Sequence, residues 1–116
     1  MTNEHVGGID HVGEVVGMLR TLSDPTRLRL LAILQEGEQS VTALCDELQL
    51  AQPTVSHHLG RLSMARLVSN RRAGKQVFYS LNGAAVSQLE PKCGLAISAG
   101  PLELHIRNPN PNGELH

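Results

Sequence analysis

The sequence predicts a mainly α-helical domain with β-hairpins, and three observations lead to this fold class. Apolar residues recur at helical spacing in four stretches before residue 66. From residue 67 to 81, and again from 93 to 107, apolar and polar residues alternate as in strands. Hydrophobic residues make up 41% of the 116 residues, but only Phe78 and Tyr79 are aromatic. We therefore expect one domain with a core of aliphatic side chains.

The first two helices are predicted by the spacing of valine and leucine residues. The first covers roughly residues 10 to 22, with its apolar positions at Val12, Val15, Val16, Leu19 and Leu22. The second begins behind an N-cap at Asp24, with Pro25 in the first helical position, and Gly37 ends it. Its apolar positions, all expected to be buried, are Leu28, Leu30, Leu31, Ile33 and Leu34.

The next two helices are separated by only a few residues. The third runs from about Val41 to Leu48 behind a Ser40 cap. The fourth covers residues 52–65 and carries Val55, Leu59 and Leu62 on one stripe. A short helix, a tight turn and a second helix are typical of a helix-turn-helix.

A hairpin follows the fourth helix, and we call it the wing. Its strands are predicted from 67 to 72 and from 76 to 81, around a turn with a basic tip at Ala73, Gly74 and Lys75. A helix-turn-helix followed by such a hairpin is a winged helix-turn-helix, so the order of elements favours DNA binding.

The charges are segregated along the chain, although the net charge is only −1. No acidic residue lies between Glu47 and Glu90. Five cations fall in that interval: Arg61, Arg66, Arg71, Arg72 and Lys75. Because they follow one helix and one turn, a basic surface for a polyanion is favoured over an idle solvated face.

A helical wheel centred on Val55 separates the fourth helix into a buried and an exposed face. The residues pointing away from the core are Thr54, His57, Gly60, Arg61 and Met64. Ser56 lies at the flank, while His58 lies about 60° from the buried stripe and is assigned a structural role at the core edge. The predicted DNA contacts are Gln52, Thr54, Ser56, His57 and Arg61 on the helix, and Arg71, Arg72 and Lys75 on phosphates or in the minor groove.

At this point the sequence resembles the arsenic-repressor-like (ArsR/SmtB) transcriptional regulators over roughly residues 10 to 82. Three segments carry the resemblance: LSDPTRLRLLAIL (22–34), VTALCDELQLAQPTVSHHLGRL (41–62) and RRAGKQVFYSL (71–81). The family usually has a helix-capping Ser where Ala51 stands and a Gly where Arg66 stands. Each change costs about 1 kcal/mol, so neither endangers the fold.

The resemblance implies a homodimer that binds a twofold-related operator and releases it when an effector, often a metal ion, binds. Metal-sensing members often carry paired cysteines near the third helix, or Asp, His and Glu ligands on a long C-terminal helix. Here only Cys45 lies near the third helix, and we interpret it as a small buried side chain. No metal site and no cofactor are predicted, and an unknown effector stays possible.

The C-terminal part departs from the family. Asn82 is predicted to cap a short helix from Gly83 to Gln88 or Glu90, which Pro91 stops. A second hairpin (93–107) is expected in place of the long C-terminal dimerisation helix. Its expected pairs are Ile97 with Leu102, Leu95 with Leu104, and Cys93 with Ile106, all on one face. That face requires cover from the first helix or a second subunit. The predicted boundaries are a flexible N-terminus (1–9), the winged domain (10–92), the hairpin (93–107) and a disordered tail (108–116).

Several functional classes are excluded or disfavoured. The N-terminal residues have no basic n-region or apolar h-region, and no apolar stretch could span a membrane, so a cytoplasmic protein is expected. No Gly-rich phosphate loop, nucleophile pair or carboxylate pair suggests an enzyme or a catalytic residue. Two alternatives to a plain DNA-binding regulator stay open. One is a winged-helix protein-interaction module. The other is a metal or redox sensor that uses terminal residues: His5, His11, Cys93, His105 and His116.

Overall fold

The computed structural model of the chain describes residues 12–89 and 94–107, and these divide into two compact units. One unit is Thr21–Asn82, and the other is formed by the described residues on either side of it. Within the described ranges, no helix is long and apolar enough to cross a membrane. The boundaries expected at residues 10, 93 and 108 stay predictions.

The helices agree closely with the sequence prediction. They are α1 (Val12–Leu22), α2 (Pro25–Gln35), α3 (Val41–Leu48) and α4 (Gln52–Met64). Three strands complete the helix-turn-helix unit: β1 (Gln39–Ser40), β2 (Val68–Ala73) and β3 (Gln76–Leu81). The two-residue strand β1 was not predicted, since two residues carry no alternation. The fold class, a winged helix-turn-helix with further β-structure, is confirmed.

Two of these helices begin at the caps that the sequence predicts. The Asp24 carboxylate accepts a hydrogen bond from the backbone N–H of Arg27 at 3.0 Å, ahead of Pro25 in the first turn. The Ser40 hydroxyl likewise accepts from the N–H of Ala43 at 3.1 Å. Each cap satisfies one of the backbone donors that a helix N-terminus leaves unpaired.

The core of the Thr21–Asn82 unit is aliphatic, as predicted. Its most deeply buried side chains are Leu30, Leu31, Leu44, Val55, Leu59, Leu62 and Leu67. The stripe expected on α4 is therefore confirmed. The burial expected for Leu28 is wrong, since 38% of this residue is exposed. Leu28 stands on the first turn of α2, whose buried positions begin at Leu30.

The wing is part of a three-stranded antiparallel sheet in the order β1-β3-β2. Val68 pairs with Leu81 at one end, and Ala73 pairs with Gln76 at the tip, so the loop consists of Gly74 and Lys75. Strand β2 begins one residue later than predicted, because Leu67 still belongs to the closing turn of α4. On the other edge, Ser40 pairs with Phe78.

The second unit contains an antiparallel sheet of β4 (Val86–Leu89), β5 (Gly94–Ala99) and β6 (Leu102–Arg107), in that order. The short helix expected from residue 83 is wrong. Residues 83–85 form a turn, and Val86 then enters a strand that pairs with Ile97. The side-chain amide of Asn82, taken as a helix cap, donates instead to the Arg66 carbonyl at 2.8 Å.

The C-terminal hairpin has the predicted face but a different register. Leu95 pairs with Ile106, Ile97 with Leu104 and Ala99 with Leu102, two residues away from the expected register. The reason is the loop, which consists of Gly100 and Pro101 only. Gly100 has φ 62° and supplies the positive φ that a two-residue hairpin loop requires at its first position. Pro101 occupies the second position, where no backbone N–H has to donate. A shift of two residues leaves the apolar side chains on the same face. The expected partner of Ile106, Cys93, lies outside the described residues.

Candidate nucleic-acid interface

The turn between α3 and α4 sets the direction of α4. It reverses the chain at Gln49, which has a left-handed backbone with φ 57°. The side-chain amide of Gln49 donates to the Asp46 carbonyl at 2.8 Å. Ala51 then occupies the N-cap of α4 without a side-chain hydrogen bond, as expected where an alanine replaces the family's usual capping Ser. Three residues therefore separate the helices, as predicted.

Helix α4 has the two faces that the helical wheel predicts. Its buried face is fully covered. The predicted contacts on the other face are all exposed: Gln52, Thr54, Ser56, His57 and Arg61. Met64, at the C-terminal end of the same side, is 80% exposed. The described chain therefore presents hydrogen-bond donors and acceptors on one side of a 13-residue helix, a shape that the DNA major groove admits.

The two adjacent histidines lie in different surroundings. His57 is exposed, whereas the His58 side chain is only 15% exposed. The Arg27 guanidinium donates to Nδ1 of His58 at 3.1 Å, and an Asp24 carboxylate oxygen lies 3.7 Å from the same nitrogen. Because arginine can only donate, Nδ1 must accept, which places the proton of a neutral ring on Nε2. His58 thus connects α4 to the start of α2, in agreement with a structural role.

The cap residue of α2 is also an electrostatic feature. The backbone N–H of Arg27 holds the pKa of the Asp24 carboxyl below its ordinary value against a desolvation that raises it, and the charge of Arg27 adds to the lowering. Asp24 is therefore ionised at neutral pH and is placed at the positive end of the α2 dipole.

The C-terminal end of α4 is closed by a motif that normally contains glycine. Arg66 has φ 63°, its N–H donates to the Ser63 carbonyl at 2.9 Å, and the N–H of Leu67 donates to the Leu62 carbonyl at 3.0 Å. These two bonds define a Schellman motif, and the residues at its two ends, Leu62 and Leu67, are both fully buried. The left-handed position inferred for Arg66 is thus present. The Asn82 N–H donates to the Leu67 carbonyl at 2.9 Å and so ties the end of the wing to this turn.

The wing carries the remaining predicted contacts. Arg72 and Lys75 are exposed, and no described carboxylate lies within ion-pair distance of either. Arg71 is different. Its Nε and Nη2 donate to the two carboxylate oxygens of Glu38 at 2.9 and 2.8 Å, and its guanidinium lies 4.8 Å from the centre of the Phe78 ring.

The Glu38–Arg71 pair changes the charge distribution inferred from the sequence. The hydrogen bond from Arg71 holds the pKa of Glu38 below its ordinary value, and Glu38 raises the pKa of Arg71. Both groups are therefore charged at neutral pH, and the negative charge of Glu38 offsets the positive charge of Arg71. Sequence reasoning missed Glu38 because charges were counted along the chain. Glu38 would have been found if strand β1 had been predicted beside the wing, but a strand of two residues leaves no pattern in the sequence.

The residues proposed for a sensor are largely outside the described part of the chain: His5, His11, Cys93 and His116. Nε2 of His105 lies 2.9 Å from a Glu103 carboxylate oxygen. Between residues 12 and 89 and between 94 and 107, no three His, Cys, Asp or Glu side chains are grouped to hold a metal ion. Cys45 is a free, partly buried thiol. The sensor alternative stays a prediction that zinc titration would test.

Comparison with known proteins identifies the family. The family model described as "Bacterial regulatory protein, arsR family" matches residues 24–70. The biofilm growth-associated repressor of Xylella fastidiosa is 46% identical over 76 residues, which are 66% of this chain and 67% of that protein.

Solved structures give the same result. The crystal structure of the transcriptional repressor BigR from Xylella fastidiosa is 44% identical, has a TM-score of 0.59, and is matched over 65% of this chain and 76% of that one. The homodimeric winged helix-turn-helix DNA-binding domain of Mb0332 from Mycobacterium bovis is 26% identical with a TM-score of 0.62, over 72% and 78% of the two chains. The prediction that the chain is not an enzyme is confirmed by these relatives. The chain belongs to the arsR family of bacterial regulatory proteins and is a DNA-binding transcriptional regulator with a winged helix-turn-helix fold.

Proposed function

We propose that the chain is a homodimeric repressor that places α4 in the major groove of an operator and the wing on the backbone or in the minor groove. The observation that carries this proposal is the division of α4. Val55, Leu59 and Leu62 are fully buried, while the opposite side is polar and exposed. A helix held rigidly by one face and open on the other is the element that reads base edges in such folds.

The exposed side chains form two groups, one suited to base edges and the other to phosphates. Gln52 and Arg61 have the bidentate geometry that distinguishes adenine and guanine, and Thr54 and His57 add single donors or acceptors. Ser56, at the flank, fits a phosphate contact. Arg72 and Lys75 supply the free charges of the wing. Arg71, the eighth predicted contact, is already paired with Glu38.

Dimerisation through α1 is supported by its exposed apolar residues. Val12 and Leu19 are each 50% exposed and Val16 is 37% exposed, although all three lie on the apolar face that the sequence predicts. Apolar side chains recurring along one helix are typical of an interface. The M. bovis relative is a homodimer, and we propose the same arrangement here.

The C-terminal sheet is proposed to complete this interface, in place of a long helix. Leu102 is 49% exposed, and Leu104 and Ile106 on the same strand and face are half-buried. Their strand neighbours Leu95 and Ile97 are buried. The outer strand thus leaves apolar surface that a second subunit could cover.

Selection from a pool of random duplexes, followed by footprinting and a salt series, tests this function. We expect a site with twofold symmetry in which the protected major-groove segments lie about 34 Å apart. Affinity is expected to fall steeply with salt because the cations release counterions from the phosphates. Binding that is flat from low to moderate salt, or a site without symmetry, would contradict the proposal.

A further inference from the structure

One arginine of the wing is laid across the sheet instead of pointing away from it. Arg71 lies on β2, Phe78 opposite it on the central strand β3, and Glu38 just before β1 on the far edge. Ser40 also pairs with Phe78, and Glu38 precedes Ser40 by two residues, so all three side chains share one face. The Arg71 side chain therefore spans the central strand to reach Glu38.

Two contacts hold the guanidinium in this position. The Glu38 carboxylate takes two N–H groups in a bidentate pair, and the Phe78 ring lies beneath the guanidinium carbon. Such paired and stacked arginines keep a defined orientation. Arg72, the next residue, points to the opposite face beside Val77 and meets no carboxylate among the described residues.

The electrostatic consequence is a change in the number of charges that DNA meets. An Arg71 that stays paired presents no net charge to a phosphate. An Arg71 that leaves the pair leaves the Glu38 carboxylate uncompensated beside the backbone. In either case one negative charge cancels one positive charge within the Debye length of the wing.

We propose that Glu38 withholds Arg71 from the DNA backbone, so that each wing neutralises phosphates with Arg72 and Lys75 while Arg71 fastens the three strands together. Glu38 is then a positioning residue that sets the DNA affinity of the wing without touching DNA. This inference rests on the proposed function, because it concerns the contact between the wing and duplex DNA.

The test uses the full chain, a labelled duplex of random sequence, and a salt series for each variant. Glu38→Gln keeps the shape of the pair and frees one positive charge. We expect tighter binding and a salt slope steeper by about 0.9 per wing. Between roughly 50 and 200 mM salt, that slope corresponds to an additional loss of affinity of about 3.5-fold per wing.

A matched control separates position from net charge. Glu36→Gln makes the same change of charge two residues earlier, at an exposed carboxylate for which no ion pair is found in the described residues. We expect it to leave the salt slope unchanged. Equal effects of Glu36→Gln and Glu38→Gln would overturn the proposal.

The double variant Glu38→Gln with Arg71→Gln is the decisive comparison, since its net charge equals that of the wild type. If Arg71 makes no phosphate contact, the double variant keeps the salt slope of the wild type and an affinity within about twofold of it, whereas Arg72→Gln makes the slope shallower by about 0.9 per wing. A double variant that loses as much as Arg72→Gln would overturn the inference while leaving DNA binding intact. A wild-type chain without salt-dependent binding would overturn both the inference and the proposed function.

A measurement on the wild type covers the case in which a variant fails to fold. The Nε–H resonance of Arg71 reports its hydrogen bond to Glu38. We expect it to keep its position and its slow exchange when the duplex is added, while the Arg72 side-chain resonance shifts. A shift of the Arg71 resonance as large as that of Arg72 would show that DNA takes Arg71 from Glu38, and would contradict the proposal.

Discussion

The two units of the molecule treat their apolar residues differently. In the Thr21–Asn82 unit, leucines such as Leu30, Leu44 and Leu59 are completely buried. In the other unit, Val12, Leu19 and Leu102 are 50%, 50% and 49% exposed. The first unit therefore covers its own core and exposes Leu28 and Met64 at separate places, on α2 and α4. The second leaves several apolar side chains on α1 and β6 that a partner surface would remove from water. The difference supports the proposal that DNA contact and self-association belong to separate parts of the chain.

The largest expected effect comes from a charge on the apolar face of the C-terminal sheet. Leu104→Asp places a carboxylate opposite the fully buried Ile97, which costs several kcal/mol if it stays unpaired. We expect monomers or aggregates in sedimentation and a loss of operator affinity, with the helical circular-dichroism signal retained.

Ser87→Asp is the control for that variant, because Ser87 is exposed on the other face of the same sheet. It is expected to leave the dimer intact. A Leu104→Asp chain that sediments as a dimer and binds with full affinity would mean that the sheet is peripheral and that α1 alone holds the subunits together.

The next largest effects come from two glycine substitutions, one in each unit, which are expected to change the free energy of unfolding in opposite directions. A Cβ on Gly94 would overlap the Ile106 carbonyl oxygen and approach Cα of Arg107 to 2.8 Å, so Gly94→Ala is expected to destabilise the sheet by about 1–3 kcal/mol. A Cβ on Gly60, in α4, would meet nothing within 4 Å, and Gly60→Ala is expected to stabilise by up to about 1 kcal/mol. Thermal unfolding measures both. A Gly94→Ala chain that is not destabilised would show that the sheet adapts by sliding.

The sequence predicts the Thr21–Asn82 unit more completely than it predicts the C-terminal part. In the Thr21–Asn82 unit, local signals coincide with the tertiary fold: Asp24 and Ser40 cap helices, and the α4 stripe faces the core. In the C-terminal part, the strand from Val86 to Leu89 exists only through its pairing with β5, which no window of four residues can reveal. The register depended on whether Pro101 could occupy a two-residue loop.

Part of the candidate interface was likewise predictable and part was not. The exposed face of α4 follows from helical periodicity alone. The Glu38–Arg71 pair joins residues 33 positions apart through a strand too short to predict. The identities of the base contacts of Gln52, Thr54, His57 and Arg61 stay predictions.

A smaller effect is expected at the N-cap of α4. Ala51 has φ −68° and ψ 150°, close to the −76° and 158° of Ser40, which caps α3. In Ala51→Ser, the hydroxyl would accept from the Thr54 N–H as Ser40 accepts from Ala43. We expect a gain of about 0.5–1 kcal/mol in the free energy of unfolding, and a similar loss for Ser40→Ala. A destabilised Ala51→Ser chain would show that a serine hydroxyl at this position does not cap α4 as Ser40 caps α3.

The smallest effect is the pH dependence of the α2 cap. The pKa of Asp24 in the folded chain lies below its ordinary value of 3.8, so its charge stabilises the fold above that pH, and the contribution disappears as the pH falls through the folded-state pKa. Asp24→Asn keeps a capping oxygen without the charge. The wild type is expected to be more stable than this variant at pH 7, by up to about 1 kcal/mol. Urea unfolding should show this difference shrinking in strong acid; a difference that grows there would contradict the assignment.

The central claim is that α4 reads bases while the wing holds the backbone, and a binding profile over all single-base variants of a selected operator tests it most directly. For Arg61→Ala and His57→Ala we expect discrimination to relax by about 1–3 kcal/mol at particular base pairs. For Lys75→Ala we expect all sequences to weaken alike, with a shallower salt slope. A uniform loss for all three variants would contradict the claim, because it would place α4 on the backbone and leave the sequence to be read elsewhere.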